Sequence, residues 1–292
     1  MDKIKGRIVK ALSGFYYVEV GSEVIECRAR GVMRKNGVTP LVGDEVFITV
    51  SEGIGAVDGI SERKNALLRP PVANLDRLYI LSSYSNPAPN TQILDKQISI
   101  CERAGIQPVI VFNKCDEGDF DEFVHIYQSA GYDTYVISCK TGEGIEEFRS
   151  SLPEGICAFT GNSGVGKSSL LNTLMPELEL KTGEVSDKLG RGRHTTRHVE
   201  LFDLGNNCRV ADTPGFSTIE CDPVPKEEVA ELFKEFREHL GECRFNSCSH
   251  TTEKGCAVLE AVRQGKIAPS RHESYCEQYR QAASLPSWER RK

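Results

Sequence analysis

The sequence of 292 residues contains no apolar run long enough to span a membrane, and residues 1–6 have no apolar core of the kind found in secretion signals. Both absences favour a cytoplasmic protein without membrane contact. An excess of basic residues is also absent, because 36 Lys and Arg stand against 42 Asp and Glu, a net charge of −6. That balance excludes a broad basic surface like that of a histone and leaves nucleic-acid contact to local patches.

Turn residues divide residues 1–63 into five short segments rich in β-branched and aromatic side chains. These are Arg7–Leu12, Phe15–Val20, Val24–Arg28, Glu45–Val50 and Ala56–Ile60. Five short strands predict a small closed barrel, with an OB-fold as the expected form and an SH3-like barrel as the alternative. One basic patch offers this domain a candidate RNA contact: Arg28, Arg30, Arg34 and Lys35.

Arg69-Pro70-Pro71 predicts a stiff linker, after which strand-like and helix-like segments alternate. The predicted strands are Leu75–Ser82, Pro108–Phe112, Thr134–Ile137, Ile156–Thr160, His198–Asp203 and Cys208–Ala211. The predicted helices are Ile93–Ala104, Phe120–Ala130, Gly144–Ser150 and Lys167–Met175. This alternation predicts an α/β domain over 64–221, with a parallel sheet and helices on both faces.

The last part of the chain, 222–292, is predicted to be a mainly helical domain. Its predicted helices are Lys226–His239, Ala257–Gln264 and Arg271–Ala283. Between the first two lies a cluster of possible metal ligands with the spacing C-x4-C-x-H-x5-C: Cys243, Cys248, His250 and Cys256. Three thiolates and one imidazole suit a closed tetrahedral zinc site of the structural kind, and free thiols are the alternative.

The remaining cysteines lie singly along the chain and fit small buried apolar side chains. Cys221 and Cys276 belong to this group, although they flank the metal cluster in sequence. His239 and His272 are isolated and fit surface or capping positions. We therefore expect one metal site with four ligands.

A phosphate-binding loop is the most specific motif of the chain. The pattern G-x-x-x-x-G-K-[ST] occupies Gly161-Asn162-Ser163-Gly164-Val165-Gly166-Lys167-Ser168. A predicted strand precedes it and a predicted helix follows, as the motif requires. In such loops the backbone N–H groups bind phosphates, Lys167 reaches the β- and γ-phosphates, and Ser168 ligates Mg²⁺, with Ser169 beside it. A glycine-rich turn without a ligand is the alternative.

Two motifs upstream of this loop suit guanine. Asn113-Lys114-Cys115-Asp116 follows a predicted strand directly, where α/β sheets bind ligands. The Asp116 carboxylate accepts hydrogen bonds from the N1–H and 2-amino groups of guanine, which adenine lacks. One βα unit later, Ser138-Cys139-Lys140 offers a backbone N–H to the guanine oxygen. A solvated polar turn is the alternative for the first motif alone.

Two segments downstream match the switch regions of nucleotide hydrolases. Asp212-Thr213-Pro214-Gly215 places a carboxylate near Mg²⁺ and a glycine N–H near the γ-phosphate, with a plain β-turn as the alternative. The Gly190–Arg197 loop lies where a switch supplies a threonine to Mg²⁺. Thr196 is the first candidate and Thr195 the second. The basic residues of this loop also suit an RNA contact.

In this order, guanine motifs come first, and the phosphate loop, the switch threonine and D-T-P-G follow. The order resembles that of circularly permuted GTPases. With the Gly190–Arg197 string and the cysteine cluster, the chain resembles the ribosome small-subunit-dependent GTPase A family over essentially its whole length. The resemblance implies an OB-fold, a permuted GTPase domain and a zinc domain. It also implies a monomer that uses GTP or GDP, Mg²⁺ and one structural Zn²⁺, and assists late maturation of the small (30S) ribosomal subunit, which stimulates it.

The chain departs from many GTPases in lacking a glutamine after D-x-x-G, the residue that orients the attacking water. Phe216 stands there instead. The resemblance implies that His194 takes this role on the ribosome, and a phosphate or RNA contact is the alternative. The order of motifs also places the second switch beside 222–292, so we expect a change at the γ-phosphate to reach that domain by a short route.

Two other functions stay open beside a GTPase that uses Lys167, Thr196 and His194 for catalysis. An ATP-dependent enzyme or small-molecule kinase would share the phosphate loop, but Asp116 argues against it. A nucleotide-stabilised RNA-binding scaffold with little catalysis fits the missing glutamine. In the main hypothesis, the barrel and the zinc domain contact ribosomal RNA.

Overall fold

The structure is a computed structural model that describes residues 3–31, 33, 37–51, 53–176, 199–212, 219 and 223–284. Arg34 and Lys35 of the basic patch lie outside these ranges, as does the whole Gly190–Arg197 loop. Within the described ranges, no helix is long and apolar enough to cross a membrane.

The N-terminal strands close into a five-stranded barrel. They are β1 (Ile4–Leu12), β2 (Phe15–Val20), β3 (Glu23–Ala29), β4 (Glu45–Ser51) and β5 (Ile54–Ile60). They pair in the order β1-β2-β3-β5-β4, and β4 returns to β1. Inward side chains such as Ile8, Val18 and Val46 are 0% exposed, which follows from the two-residue period of a strand. This order confirms the predicted OB-fold.

The Pro-rich stretch after the barrel is a hairpin packed on the barrel, so the prediction of a stiff spacer was wrong. Strands β6 (Ala66–Leu67) and β7 (Val72–Ala73) pair across the turn that contains both prolines. A backbone N–H of β7 donates to the Val42 carbonyl at 2.9 Å. Just before the hairpin, Arg63 donates to both carboxylate oxygens of buried Asp44, at 2.7 and 2.8 Å. These contacts fix the barrel to the next domain.

In the described part of the central domain, six strands form a sheet in the order β10-β9-β8-β11-β13-β12. The strands are β8 (Arg77–Ser83), β9 (Gln107–Asn113), β10 (Asp133–Ile137), β11 (Gly155–Thr160), β12 (Val199–Gly205) and β13 (Cys208–Asp212). The helices are α1 (Thr91–Ala104), α2 (Asp121–Ser129), α3 (Ile145–Ser150) and α4 (Lys167–Leu174). All neighbours are parallel except β12 and β13. The predicted parallel α/β sheet is confirmed.

Helices cover both faces of this sheet because its strands are apolar on both sides. On β8, Leu78 and Ile80 belong to the core beneath α1 and α2. Tyr79 and Leu81 belong to the opposite core, beneath α3 and α4. Such a continuous apolar run is typical of a parallel strand that is buried on both faces.

The barrel and the sheet are joined edge to edge, a contact that no sequence pattern indicated. Lys10 of β1 pairs with Glu200 of β12, and Ala11 pairs with Val199, in an antiparallel register. The Lys10 ammonium also lies 2.8 Å from the Glu200 carboxylate. Eleven strands therefore form one continuous hydrogen-bonded sheet.

The C-terminal domain is mainly helical, with two 3₁₀ helices followed by two α-helices. These are Val229–Leu232, Lys234–His239, α5 (Ala257–Arg263) and α6 (Pro269–Ser284). The domain encloses its own apolar core, separate from the two cores of the central sheet.

The predicted single helix over Lys226–His239 was wrong. Phe233 interrupts it in an extended conformation, with φ −99° and ψ 102°. The Phe233 ring is 0% exposed and lies 5.1 Å from the Phe236 ring and 5.5 Å from the Tyr275 ring. The spacing of the apolar residues correctly indicated which side chains are buried. The packing of these side chains overrides the helical propensity of the segment.

Candidate nucleotide and metal sites

The predicted nucleotide motifs meet at one edge of the central sheet. Strands β8, β9, β10 and β11 are neighbours and parallel, so their carboxyl ends lie at the same edge. The N-K-x-D motif begins at the end of β9, Ser138-Cys139-Lys140 follows β10, and the phosphate loop follows β11. This edge is where open α/β sheets bind ligands.

The Asn113 side chain joins three segments of this edge. Its Nδ2 donates to the Val165 carbonyl inside the phosphate loop at 2.9 Å. Its Oδ1 accepts from the N–H of Lys114 at 2.8 Å and from the N–H of Cys139 at 3.3 Å. Asn113 is 2% exposed, so water does not compete for these bonds. The bridge fixes the base-reading loops relative to the phosphate loop.

Gly166 leaves the space that this bridge needs. Its φ is +96°, and a Cβ atom at this position would lie 2.1 Å from Asn113 Nδ2. Any side chain would therefore be strained and would displace the Asn113 amide. Gly166 is the second glycine that the phosphate-loop pattern specifies, and its contact with Asn113 of the guanine motif requires it.

Lys167 begins α4 with its ammonium turned onto the loop. Nζ donates to the carbonyls of Gly161 at 2.5 Å and Asn162 at 2.9 Å. Burial lowers the pKa of Lys167 to about 8. Phosphate oxygens would favour the charged form and raise this pKa. The exposed Ser168 and the half-buried Ser169 follow in the same helical turn.

The Asp116 carboxylate is held by the second guanine motif. Oδ1 accepts from the Ser138 hydroxyl at 2.6 Å, and Oδ2 lies 3.2 Å from Lys140 Nζ. The Ser138 hydrogen bond is the main reason why the pKa of Asp116 is lowered, so the group is ionised at neutral pH. The residue is exposed through its backbone, while its side chain is 13% exposed. A fixed, ionised acceptor of this kind suits the two donors of guanine.

The loop after β8 also belongs to this site, although no motif in the sequence indicated it. The Ser85 carbonyl accepts from Lys114 Nζ at 2.8 Å, and the Ser85 hydroxyl bonds Glu117. The next residue, Asn86, has its carbonyl 2.8 Å from where a Cβ of Gly164 would lie. A run of Ser, Asn and Pro directly after a buried strand at this edge was the available signal.

Several predicted residues lie outside the described part of the chain. They are His194, Thr195, Thr196 and Gly215. Asp212 ends β13, which is paired with β11, but its side chain is also outside the description. All the predicted magnesium ligands, Ser168 included, therefore stay predictions.

The four predicted metal ligands do converge. Their ligand atoms all lie within 4.8 Å of one another. His250 Nδ1 is 3.4 Å from Cys243 Sγ and 3.4 Å from Cys256 Sγ, and these two sulfurs are 3.8 Å apart. Ligands about 2.3 Å (S) and 2.0 Å (N) from a tetrahedral zinc would be separated by about 3.8 Å (S–S) and about 3.5 Å (S–N). The donor set and its spacing fit zinc.

Residues outside the ligand set shape this metal loop. His250 has a φ of +54°. The Glu253 carboxylate accepts from the N–H groups of Ser249, Thr251 and Thr252 at 2.7 to 3.0 Å. Such acceptor bonds hold the pKa of Glu253 at about 2, against the opposing effect of burial. One carboxylate thus orders the turn that carries a ligand.

Helix α6 supports the metal loop from the other side. His272 Nε2 lies 2.8 Å from the His250 carbonyl oxygen, and the Tyr275 hydroxyl donates to the Ser249 carbonyl at 2.6 Å. A surface or capping position was predicted for His272. The residue is half-buried and faces the metal loop, so the surface alternative was wrong. Cys276 is half-buried, with Sγ 3.7 Å from His272 Nε2, and it lies outside the four-ligand cluster.

Comparisons with known proteins identify the family. The profile described as RsgA GTPase matches residues 60–222, and that described as RsgA N-terminal domain matches residues 5–57. A protein of Caldanaerobacter subterraneus subsp. tengcongensis named small ribosomal subunit biogenesis GTPase RsgA is 48% identical over 279 residues, 94% of each chain. A protein of the same name from Bacillus velezensis is 46% identical over 283 residues, 94% of this chain and 95% of its own.

Two solved structures share the fold throughout. YjeQ from Thermotoga maritima is 35% identical, with a TM-score of 0.85 over 98% of this chain and 100% of its own. YloQ, described as a circularly permuted GTPase, is 36% identical, with a TM-score of 0.79 over 98% of this chain and 97% of its own. The likeness spans the barrel, the sheet and the C-terminal helices together.

The lowered pKa of Lys167 predicts a pH-dependent affinity for GDP. Phosphates bind the charged lysine, so affinity should be fully developed well below pH 8. Above that value it should fall by up to about tenfold per pH unit, because the proton must first be taken up. Titration of GDP binding between pH 6.5 and 9 measures this. Guanosine, which has the base but no phosphates, is the control. A parallel loss of affinity for both ligands would contradict the role of Lys167.

The metal cluster predicts one zinc ion per chain in the purified protein. Cys243→Ser should lose the metal and destabilise the C-terminal domain, because zinc supplies part of its folding energy. Cys276→Ala should keep it, since that thiol lies outside the ligand cluster. Metal analysis and thermal unfolding of the three proteins test this. A wild-type protein that is folded with much less than about one zinc per chain would contradict the site.

Proposed function

This chain belongs to the RsgA GTPase family, and from that premise we propose that it hydrolyses GTP to GDP and phosphate as a late assembly factor of the small ribosomal subunit. The observation that carries the proposal is the Asn113 bridge, which unites guanine motifs and phosphate loop in one site. Relatives that are 43 to 48% identical over most of the chain are named small ribosomal subunit biogenesis GTPases.

We assign guanine recognition to Asn113-Lys114-Cys115-Asp116 and Ser138-Cys139-Lys140. Asp116 would accept from the base, the Lys114 stem would lie over it, and the Cys139 N–H would meet its oxygen. The Gly161–Ser169 segment would bind the phosphates through backbone N–H groups and Lys167. The support is geometric: these groups share one sheet edge and are tied by hydrogen bonds.

We assign magnesium to Ser168 and Thr196 as direct ligands, with Asp212 in support and the Gly215 N–H near the γ-phosphate. Bound Mg²⁺ neutralises charge that develops on the phosphates during transfer. Phe216 cannot orient a water molecule, so we assign that task to His194, acting once the subunit is bound. Thr195 is the alternative to Thr196.

We propose three functional units, 1–63, 64–221 and 222–292, in a cytoplasmic monomer. The barrel and the zinc domain would contact ribosomal RNA. On the barrel, the Arg28 guanidinium lies 4.4 Å above the Phe15 ring, and Arg30 is paired with Asp58. Zn²⁺ held by the four C-terminal ligands would have a structural role only.

The proposal predicts that purified small subunits accelerate phosphate release from GTP by at least about tenfold and leave ATP unhydrolysed. His194→Ala should return the rate with subunits close to the rate without them, as expected for loss of a group that orients or activates water only on the subunit. His125→Ala, an exposed histidine on α2, is the matched control. Phosphate release with GTP and ATP, each with and without subunits, is the measurement.

The outcomes separate the competing functions. Equal turnover of GTP and ATP would favour an ATP-dependent enzyme. Nucleotide binding without turnover under any condition would favour an RNA-binding scaffold. Full stimulation of His194→Ala would reject the assignment of His194 and keep the GTPase.

A further inference from the structure

A fully buried arginine docks the C-terminal domain on the central domain. Arg271 of α6 is 1% exposed. Its Nη1 donates to Asp95 of α1 at 2.6 Å, and its Nε and Nη2 donate to Glu235 at 2.6 and 3.0 Å. Asp95 is 0% exposed. Since a buried charge is costly unless paired, the docked position of α6 depends on Asp95.

Aromatic rings from both domains surround the same guanidinium. Its central carbon lies 4.8 Å from the ring of Phe233, 5.5 Å from that of Tyr132 and 5.8 Å from that of Tyr127. Further ion pairs surround this contact, with Arg103 of α1 2.5 Å from Glu228 and Arg237 2.5 Å from Glu102 of α1. Helix α1 is therefore the main element of the central domain that the C-terminal domain contacts.

Two residues beyond Asp95, the same helix touches the strand that leads into the phosphate loop. Gln97 is 6% exposed, and its Nε2 lies 3.4 Å from the hydroxyl of Thr160. Thr160 is the last residue of β11 and directly precedes Gly161. Leu94 and Gln97 line one small cavity together with Gly161 and other loop residues. One turn of α1 thus contacts both Arg271 and the residue that directly precedes the phosphate loop.

We propose that α1 couples nucleotide binding to docking of the zinc domain, with Asp95 and Gln97 as positioning residues. The inference rests on the proposed guanine-nucleotide site. The expected route through the second switch stays a prediction, because residues 213–218 lie outside the described ranges. Coupling of this kind is reciprocal: if docking strengthens nucleotide binding, nucleotide strengthens docking by the same factor.

GDP affinity and hydrogen exchange in α6 together test the proposal. Asp95→Asn keeps the side-chain shape but removes the charge facing Arg271, and should weaken GDP binding by about fivefold or more. Glu277→Gln breaks an exposed pair with Arg280 inside the same helix and should leave affinity within about twofold. In the wild type, GDP should slow exchange of α6 amides. Gln97→Leu should abolish this slowing while zinc content stays at the wild-type value.

An unchanged GDP affinity for folded Asp95→Asn would overturn the coupling. A wild-type protein whose α6 amides exchange at the same rate with and without GDP would also overturn the coupling. This measurement needs no variant, and an interface with only a structural role would show no response to GDP. If the wild type bound no GDP, the proposed function would fail together with the inference. GDP binding without any response in α6 would reject the inference alone.

Discussion

One side-chain amide holds the two halves of the nucleotide site together. Asn113 bonds the Val165 carbonyl, which is 52 residues away in the chain, and the N–H of Cys139 in a third segment. The bridge explains why the permuted order is tolerated. Parallel strands bring their following loops to one edge whatever their order in the chain, and this amide then fixes the loops in register. Gly166 is constrained by the same contact.

The sequence was sufficient to predict features that depend only on neighbouring residues in the chain. The barrel strands, the phosphate loop and the four metal ligands have short patterns with a direct physical reason, and the structure places them as expected. Features that depend on distant partners were missed or wrong. The β1–β12 pairing needs Lys10 beside Glu200, the break at Phe233 needs Tyr275, and burial of Arg271 needs Asp95. No local pattern records such pairs.

The two flanking domains are attached in physically different ways. The barrel continues the central sheet through backbone hydrogen bonds and is fixed again by Asp44 and Arg63. The C-terminal domain contacts α1 through side chains, above all through Arg271. Separation of the two domains would leave the buried Arg271 and Asp95 charges without each other, which is costly. The barrel is thus joined by backbone pairing, and the C-terminal domain by the side-chain contact on which the proposed coupling would act.

Comparison of Asn113→Ala with Asp116→Asn tests directly whether the Asn113 amide holds the nucleotide site together. If Asn113 holds the base-reading loops against the phosphate loop, its loss should lower the affinity for both GDP and inorganic pyrophosphate. Binding of pyrophosphate needs no contact with a base. Asp116→Asn should keep pyrophosphate affinity and shift base preference from guanine towards xanthine. Calorimetric titration of both variants with GDP, XDP and pyrophosphate measures this. An Asn113→Ala protein with wild-type pyrophosphate affinity would contradict the account.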